Sequence, residues 1–221
     1  MKKVTAFVLG LLTVLPCTAS ASSLLVSPLP TGDAAAIFTV SGSRVRYELP
    51  SDDFTIERVT ESVVWGYESF FAGLGYVSTT DFDDVGVGGA QPGSDPGYLL
   101  AFGARGAAWR AGDFSIDVDA QFQLMNEKMI SGGERYQLQS LELFAGVVAA
   151  WEQPNWRVYT GIQTVPYSMV SVNAPGFEAM ERADFIIAHA GGGLNVGPCF
   201  LDVDVQFLGD EGLRVSLGYP F

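Results

Sequence analysis

His189 is the one histidine of the chain and the side chain best suited to proton transfer near neutral pH. Hydrolytic enzymes that use a histidine need a serine or an acidic partner beside the ring. In an extended strand, the neighbours of His189 on its own face are Ile187 and Gly191, and neither can serve. Only a partner on an adjacent strand could complete a catalytic pair, so the sequence predicts a hydrogen-bonded filler and no enzymatic activity.

Metal binding and thiol chemistry have weak support in the sequence. Asp81, Asp83 and Asp84 could offer the carboxylate oxygens that calcium prefers, but their spacing fits no calcium-loop motif. A solvated acidic loop is therefore favoured, and we predict no metal and no cofactor. Cys199 is the only cysteine after the N-terminal segment, which leaves no internal disulfide and indicates a small packing residue.

Strict alternation of apolar and polar residues runs through the chain and predicts the elements that carry these side chains. The clearest run is Phe114 to Leu124, where every second residue is apolar and those between are Ser115, Asp117, Asp119, Gln121 and Gln123. Period-two alternation places one face of a strand against an apolar medium and the other against a polar one. Residues 201–207 repeat the pattern.

The alternation, with turn-forming residues between segments long enough to cross a hydrocarbon layer at a tilt, predicts an all-β fold. We expect an antiparallel transmembrane β-barrel of ten strands, or of eight if the first hairpin, Ile37 to Gly66, lies outside the wall. The predicted strands are Ile37–Glu48, Phe54–Gly66, Phe70–Ser78, Tyr98–Arg110, Phe114–Asn126, Tyr136–Trp151, Trp156–Tyr167, Ala183–Asn195, Cys199–Leu208 and Leu213–Phe221. In the second strand, Glu57 and Glu61 share the phase of Val59 and Val63, which indicates a bulge or an uncertain register.

The last nine residues, Leu213 to Phe221, alternate without a break and end on Tyr219, Pro220 and Phe221. This strand resembles the closing strand of the small outer-membrane β-barrel superfamily of Gram-negative bacteria, of the OmpA, OmpX and opacity-protein type. The resemblance implies that Tyr219 and Phe221 are an assembly signal read by the outer-membrane assembly machinery. It also implies an outer-membrane location with both chain ends in the periplasm.

The N-terminal residues have the pattern of a secretory signal peptide, with Lys2 and Lys3 before an apolar run from Ala6 to Leu15. Small residues at Ala19 and Ala21 predict cleavage before Ser22. We therefore divide the chain into a signal peptide (1–21), a short periplasmic segment (22–36) and the barrel (37–221). Removing Lys2 and Lys3 takes the net charge from −13 to −15, which argues against nucleic acid as a partner.

Turn positions and aromatic residues predict the orientation of the barrel. Short periplasmic turns are expected near Tyr67, Ala111, Gln153 and Gly197, and tight outer hairpins near Ser51 and Gly209. Longer outer loops are expected at Thr79 to Gly97, Glu127 to Arg135 and Ser168 to Arg182. Two aromatic belts are predicted, a periplasmic one of Trp65, Tyr67, Trp109, Trp151, Trp156, Tyr219 and Phe221, and an outer one of Tyr98, Tyr136 and Tyr167.

Assigning the polar face of the strands to the lumen places charges of both signs inside the barrel. The predicted lumen charge network consists of Arg44, Arg46, Arg58, Arg105, Asp117, Asp119, Glu142, Arg157, His189, Asp202, Asp204 and Arg214, with Gln121, Gln123, Gln163 and Gln206 beside them. Hairpin geometry sets Arg105 opposite Asp117 or Asp119, and Arg214 near Asp204. Buried charges must be paired, so a salt-bridged plug is favoured over a conductive pore.

Three function classes remain open at this stage. A structural or surface-interaction barrel is favoured because its lumen is filled by paired charges, with outer-membrane lipid as its surroundings. A narrow, porin-like diffusion pore for small solutes is the alternative, since inward glycines such as Gly161 and Gly191 could leave water-filled space. A soluble, exported, lipocalin-like binder is the least favoured class.

Overall fold

The computed structural model describes residues 34–48, 53–83, 91–92, 97–131, 134–173 and 181–221. Within these residues, ten long strands form the wall: β1 (Ala35–Glu48), β2 (Asp53–Tyr67), β3 (Phe70–Asp83), β4 (Gly97–Ala111), β5 (Phe114–Ser131), β6 (Glu134–Glu152), β7 (Trp156–Val172), β8 (Ile186–Val196), β9 (Cys199–Leu208) and β10 (Asp210–Pro220). No helix in the described ranges is long and apolar enough to cross a membrane. The predicted signal peptide, with Ala19 and Ala21, lies outside them.

The sheet closes on itself. Each wall strand pairs antiparallel with the next, and β10 returns to pair with β1 from Ala35–Pro220 to Arg44–Glu211. Closure leaves no unpaired strand edge along this seam, as an apolar solvent requires. The predicted ten-stranded barrel is therefore confirmed. The eight-stranded alternative is wrong, because β1 and β2 are part of the wall.

Short turns join the strands at one end of the barrel, at Glu68–Ser69, Gly112–Asp113 and Gly197–Pro198. Gly112 and Gly197 have positive φ values of 58° and 62°, which glycine adopts without a steric penalty. At the other end the strands are longer than predicted. Pairs of neighbouring strands keep their backbone ladders as far as Asp83, Ser131 and Val172, so the three predicted outer loops begin later than the sequence indicated.

The second strand alternates regularly, although its sequence pattern was ambiguous. Arg58, Thr60, Ser62 and Val64 point inward, while Glu57 and Glu61 are on the outer face with the apolar residues. The expected irregularity lies in its pairing with β3, where Glu57 is registered with Asp81 but Arg58 with Thr79. The extra residue is on β3.

A short segment, residues 181–185, follows the rim of the barrel from β1 to β7; we call it the strap. Its Glu181–Arg182 part pairs with β1 at Glu48 and Tyr47, above the point where β10 ends. The tip of the β9–β10 hairpin lies under it, because Gly209, with a φ of 73°, packs directly against the carbonyl oxygen of Ile186. The strap therefore covers the notch that this short hairpin leaves in the rim.

Candidate functional site

The interior of the barrel contains an apolar cluster as well as charged groups. The apolar cluster is buried and is contributed mainly by β1 to β5, with Phe200 of β9: Ile37, Val64, Phe71, Val77, Leu99, Ala101, Met125 and Phe200. The sequence assigned the lumen to polar residues, so this cluster corrects that expectation. Large apolar side chains face inward beside long arginines, as where Arg58 Nη1 lies 3.5 Å from the Met125 sulfur, so the two kinds of side chain pack against each other.

At the mouth, the first of two ionic groups is centred on Arg182 of the strap. Its guanidinium donates to the Glu142 carboxylate at 2.7 Å (Nη1 to Oε1) and also contacts the Asp210 carboxylate. All three side chains are fully buried. The guanidinium carbon also lies 5.6 Å from the ring centre of Phe144, within cation–π range. Burial opposes the positive charge, but the attraction of Asp210 and Glu142 more than offsets it and leaves the pKa of Arg182 raised.

Arg58 forms the second part of this mouth group. Its Nη2 lies 3.2 Å from Glu127 Oε1 and donates to the hydroxyl of Tyr47 at 3.2 Å. Both charged side chains are 1% exposed. Because Tyr47 is also the β1 register partner of Arg182, the two buried arginines lie close to the same tyrosine at the mouth.

The second ionic group lies deeper, on β7 to β10. Asp204 is the hub: its Oδ2 lies 3.0 Å from His189 Nδ1 and 3.6 Å from Arg214 Nη2. Asp202, also buried, accepts hydrogen bonds from the Tyr159 hydroxyl at 2.7 Å and from Arg157 Nη2 at 3.0 Å. The structure therefore places these residues together as two adjacent carboxylates, each held by a cation and a ring.

A looser group joins this hub to β5. Arg105 is the register partner of Asp119, and their Nη2 and Oδ1 atoms are 3.9 Å apart. Gln163 donates to the other oxygen of Asp119 at 3.1 Å. Asp117 lies on the same inner face, buried, and attracts Arg105 electrostatically. Gln121 and Gln123 extend the face as a hydrogen-bonded pair at 3.0 Å.

Two inward glycines make space for the rings of the deeper group. A Cβ atom at Gly161 would collide with His189 Nε2, and one at Gly191 would collide with the Tyr159 hydroxyl. The sequence left open whether these glycines accommodate the long arginines or leave water-filled space, and neither is found at these two positions. At both positions an aromatic or imidazole ring occupies the space.

The structure contradicts the predicted lumen position of Arg44 and Arg46. Both lie on the outer face of β1, with side chains 46% and 50% exposed, while Ser43, Val45 and Tyr47 point inward. The prediction assigned these residues to the lumen because they are charged, and it did not consider their height on the wall. At this height β1 has left the apolar zone, so an outward arginine meets water and lipid headgroups and no longer meets hydrocarbon.

Sequence reasoning also missed three buried charges: Glu127, Asp210 and Arg182. The first two carried a signal, since Glu127 continues the odd-numbered inward phase of β5 and Asp210 the even-numbered inward phase of β10. Both were assigned to connections. No alternation pattern indicated that Arg182 is buried, because only the fold of the strap places its side chain in the lumen.

The His189–Asp204 pair has the geometry of a histidine oriented by a carboxylate, as a general base would need. His189 Nε2 is buried and has no hydrogen-bond partner among the described residues. Among the described residues, no hydroxyl lies within hydrogen-bond distance of this nitrogen. The described residues also contain no group of three or more histidine, cysteine or acidic side chains arranged to hold a metal ion.

The outer face of the barrel has the opposite composition from the lumen. Large apolar side chains are exposed on every side, among them Phe102, Val147, Ile162 and Leu217. Aromatic residues are exposed at both strand ends, with Trp65, Trp109, Trp151, Trp156 and Tyr219 at the short-turn end and Tyr76, Tyr98 and Tyr167 at the other. On β4, Tyr98 and Trp109 are eleven residues apart, which corresponds to about 25 Å of height for a strand tilted by roughly 45°.

The comparisons with known proteins return distant structural similarity only. No protein-family model and no curated protein matches the chain. Among solved structures, Neisserial surface protein A is 9% identical, with 85% of this chain and 99% of that chain covered and a TM-score of 0.45. The outer-membrane protease OmpT of Escherichia coli (9% identical, 90% and 100% covered, TM-score 0.49) and the COG4313 outer-membrane channel of Pseudomonas putida F1 (10%, 91% and 100%, 0.48) are similarly distant. At this distance they say nothing of function.

The polarity of the barrel itself identifies its environment. A soluble barrel would bury the exposed apolar residues and expose the buried charged ones, so the lipocalin-like alternative is wrong. An apolar outer band about 25 Å tall between two aromatic belts, around a polar interior, is the architecture of outer-membrane barrels. The protein is therefore a closed, ten-stranded transmembrane β-barrel of the kind that resides in the outer membrane of Gram-negative bacteria.

Proposed function

We propose that this protein is a structural or surface-interaction barrel whose lumen is closed to solutes. The observation that carries the proposal is the pairing of the inward arginines. Arg58, Arg105, Arg157, Arg182 and Arg214 each lie within 4.0 Å of a buried carboxylate, and none has a side chain more than 12% exposed. On this proposal, the paired arginines and the apolar cluster together fill the barrel axis with side chains rather than solvent.

The narrow diffusion pore stays as the second candidate, because some buried polar atoms lack a partner. Asp117 Oδ1, Gln163 Oε1, His189 Nε2 and Asp204 Oδ1 have no hydrogen bond within the described residues. Such atoms normally bond to ordered water. If that water were continuous, the lumen would prefer cations, because in the described part of the chain seven buried carboxylates (Asp117, Asp119, Glu127, Glu142, Asp202, Asp204 and Asp210) face five inward arginines.

Liposome swelling distinguishes the two candidates. Proteoliposomes that contain the refolded barrel should swell in isosmotic sugar or amino-acid solutions no faster than protein-free liposomes. A swelling rate that increases with the amount of barrel, and that is greater for cationic than for anionic solutes of equal size, would favour the pore. Correct folding in the same vesicles is checked by the heat-dependent gel mobility typical of folded barrels.

The closing strand supports a second proposal, on assembly. The resemblance of this strand to the closing strand of small outer-membrane barrels implies that the assembly machinery reads Tyr219 and Phe221. Both side chains are exposed here at the short-turn end. Deleting Phe221 should lower the amount of protein inserted in the outer membrane several-fold while leaving export to the periplasm intact. Phe221→Tyr, which keeps the aromatic ring, is the matched control and should insert normally. Normal insertion of the deletion variant would contradict the proposal.

A further inference from the structure

Glu61 is a carboxylate on the membrane-facing surface of the barrel. Its side chain is exposed, and the outward residues next to it on β2 are Val59 and Val63. Across the ladders its register partners are Val40 of β1 and Tyr76 of β3. Among the described residues, Glu61 makes no ion pair. The carboxylate is therefore surrounded on the outer wall by side chains that cannot neutralise it.

The position of Glu61 along β2 places it in the apolar band. Glu57, four residues nearer the rim, is paired with Arg44, and Trp65, four residues nearer the short turns, belongs to the aromatic belt at that end. Four residues of a strand tilted by roughly 45° span about 9 Å of height. Glu61 therefore lies well below the charged rim and faces acyl chains, where a charged side chain needs a partner.

The wall beside Glu61 has a gap in its outward side chains at Gly42 of β1. Gly42 is outward in the alternation and is the register partner of Val59 on β2 and of Leu213 on β10. A glycine inside a strand allows another backbone to approach closely. Transmembrane helices pack together at small residues and polar side chains, because lipid tails already solvate apolar surface. The same reasoning applies to the walls of barrels, so Gly42 beside Glu61 indicates a protein contact.

The charges nearer the rim differ in how far they are engaged. Arg46 Nη2 donates to Asp184 Oδ1 at 3.2 Å, so this arginine has a partner. Arg44 has acidic neighbours on both sides, Glu57 on β2 and its register partner Glu211 on β10. Its Nε lies 3.7 Å from Glu57 Oε1, too far for a hydrogen bond, and a guanidinium has five N–H donors. Arg44 can therefore donate to a further carboxylate, while water screens Glu57 and Glu211 at the headgroup level.

We propose that the outer face of β1 and β2 is the interface of a symmetric homodimer in the membrane. Both copies insert in the same direction, so their two-fold axis runs along the membrane normal and the face meets itself. β1 of one copy then faces β2 of the other, and Arg44 donates to Glu61 of the partner subunit. Arg44 is two outward positions above Glu61 in the β1–β2 register, which a long, flexible side chain can cover. Gly42 lets the two walls approach each other.

A second copy fits this face better than lipid does. Acyl chains offer Glu61 no cation, and anionic headgroups at the rim have the same sign of charge as its carboxylate. An identical face brings an arginine with unused donors to the strand opposite. Because the interface is two-fold symmetric, the contact between Arg44 and Glu61 forms twice. The interface lies outside the lumen, so it does not depend on whether the barrel conducts.

Resonance energy transfer between refolded barrels in lipid vesicles tests the proposal. Donor and acceptor dyes are attached through Ser69→Cys in the exposed β2–β3 turn, and Cys199→Ser removes the native thiol. Transfer between otherwise unchanged barrels should decrease on dilution with lipid along a monomer–dimer curve. Glu61→Val should weaken dimerisation at least roughly tenfold, because the contact is lost twice. Thr160→Val, which removes an exposed hydroxyl from the outer face of β7, is the matched control and should leave dimerisation unchanged.

The reciprocal contact allows a second test with mixed variants. A dimer of one Arg44→Gln copy and one Glu61→Val copy contains one complete contact, whereas a dimer of either variant with itself contains none. The mixed dimer should therefore be at least roughly threefold tighter than both homodimers. A monomeric wild type, unchanged dimerisation of Glu61→Val, or a mixed dimer no tighter than the homodimers would overturn the proposal. The substituted side chains lie on the outer face, so all variants should show the gel mobility of the folded wild type.

Discussion

Replacing Arg182 with alanine should lower the free energy of unfolding by about 3–5 kcal/mol, the usual cost of removing one partner of a buried ion pair. The reason is that Glu142 and Asp210 both lie fully buried against its guanidinium and would remain as two neighbouring carboxylates without a cation between them. Urea unfolding of the barrel in lipid vesicles, followed by tryptophan fluorescence, gives the measurement.

Two variants separate the charge effect of Arg182 from loss of packing. Adding Glu142→Gln to Arg182→Ala should restore part of the lost stability, because it removes one of the uncompensated charges. Arg46→Ala breaks an exposed pair with Asp184 close to the same strap and should cost only about 0–1 kcal/mol. Equal losses of unfolding free energy in Arg182→Ala and Arg46→Ala would mean that water reaches the ion pairs at the mouth and that these pairs contribute little to stability.

Asp204→Ala should have a comparably large effect, again about 3–5 kcal/mol. Asp204 is fully buried and is shared by His189 at 3.0 Å and Arg214 at 3.6 Å. Its removal leaves the Arg214 cation, itself 1% exposed, without the carboxylate nearest to it. The same unfolding measurement applies, and the variant should still fold because the backbone ladder of β9 is unchanged.

The control for Asp204 is Glu57→Ala, which removes the carboxylate of the exposed Arg44–Glu57 pair on the outer wall. That substitution should shift the unfolding midpoint little, since exposed pairs contribute about 0–1 kcal/mol. A small effect of Asp204→Ala alongside an equally small effect of Glu57→Ala would contradict a dry, ion-paired interior in the deeper part of the barrel.

Most of the wall could be predicted from the sequence, because each strand has lipid on one face and the lumen on the other, so its residues must alternate between apolar and polar. The alternation from Phe114 to Leu124 predicted one face unambiguously, and in the structure its apolar residues lie on the outer face of the barrel. In β1 the charge of Arg44 and Arg46 suggested the wrong face. The correct phase was carried by Thr39, Ser41 and Ser43, small polar residues that fit inside a crowded lumen.

The parts of the site that could not be predicted depend on tertiary placement. Arg182 lies in a connection without alternation, and its burial follows from the pairing of the strap with an edge of β1 that β10 leaves open. A short hairpin beside a long strand is visible in the sequence, but which side chains then meet depends on the register across the closing seam.

Single-channel recording in planar lipid bilayers tests the central claim, a lumen closed by paired charges, most directly. Refolded wild-type barrel, whose insertion is verified by its folded gel mobility, should produce no stable conductance steps over a wide range of voltages. Regular, reproducible steps with a preference for cations would contradict the closed lumen and favour the diffusion pore.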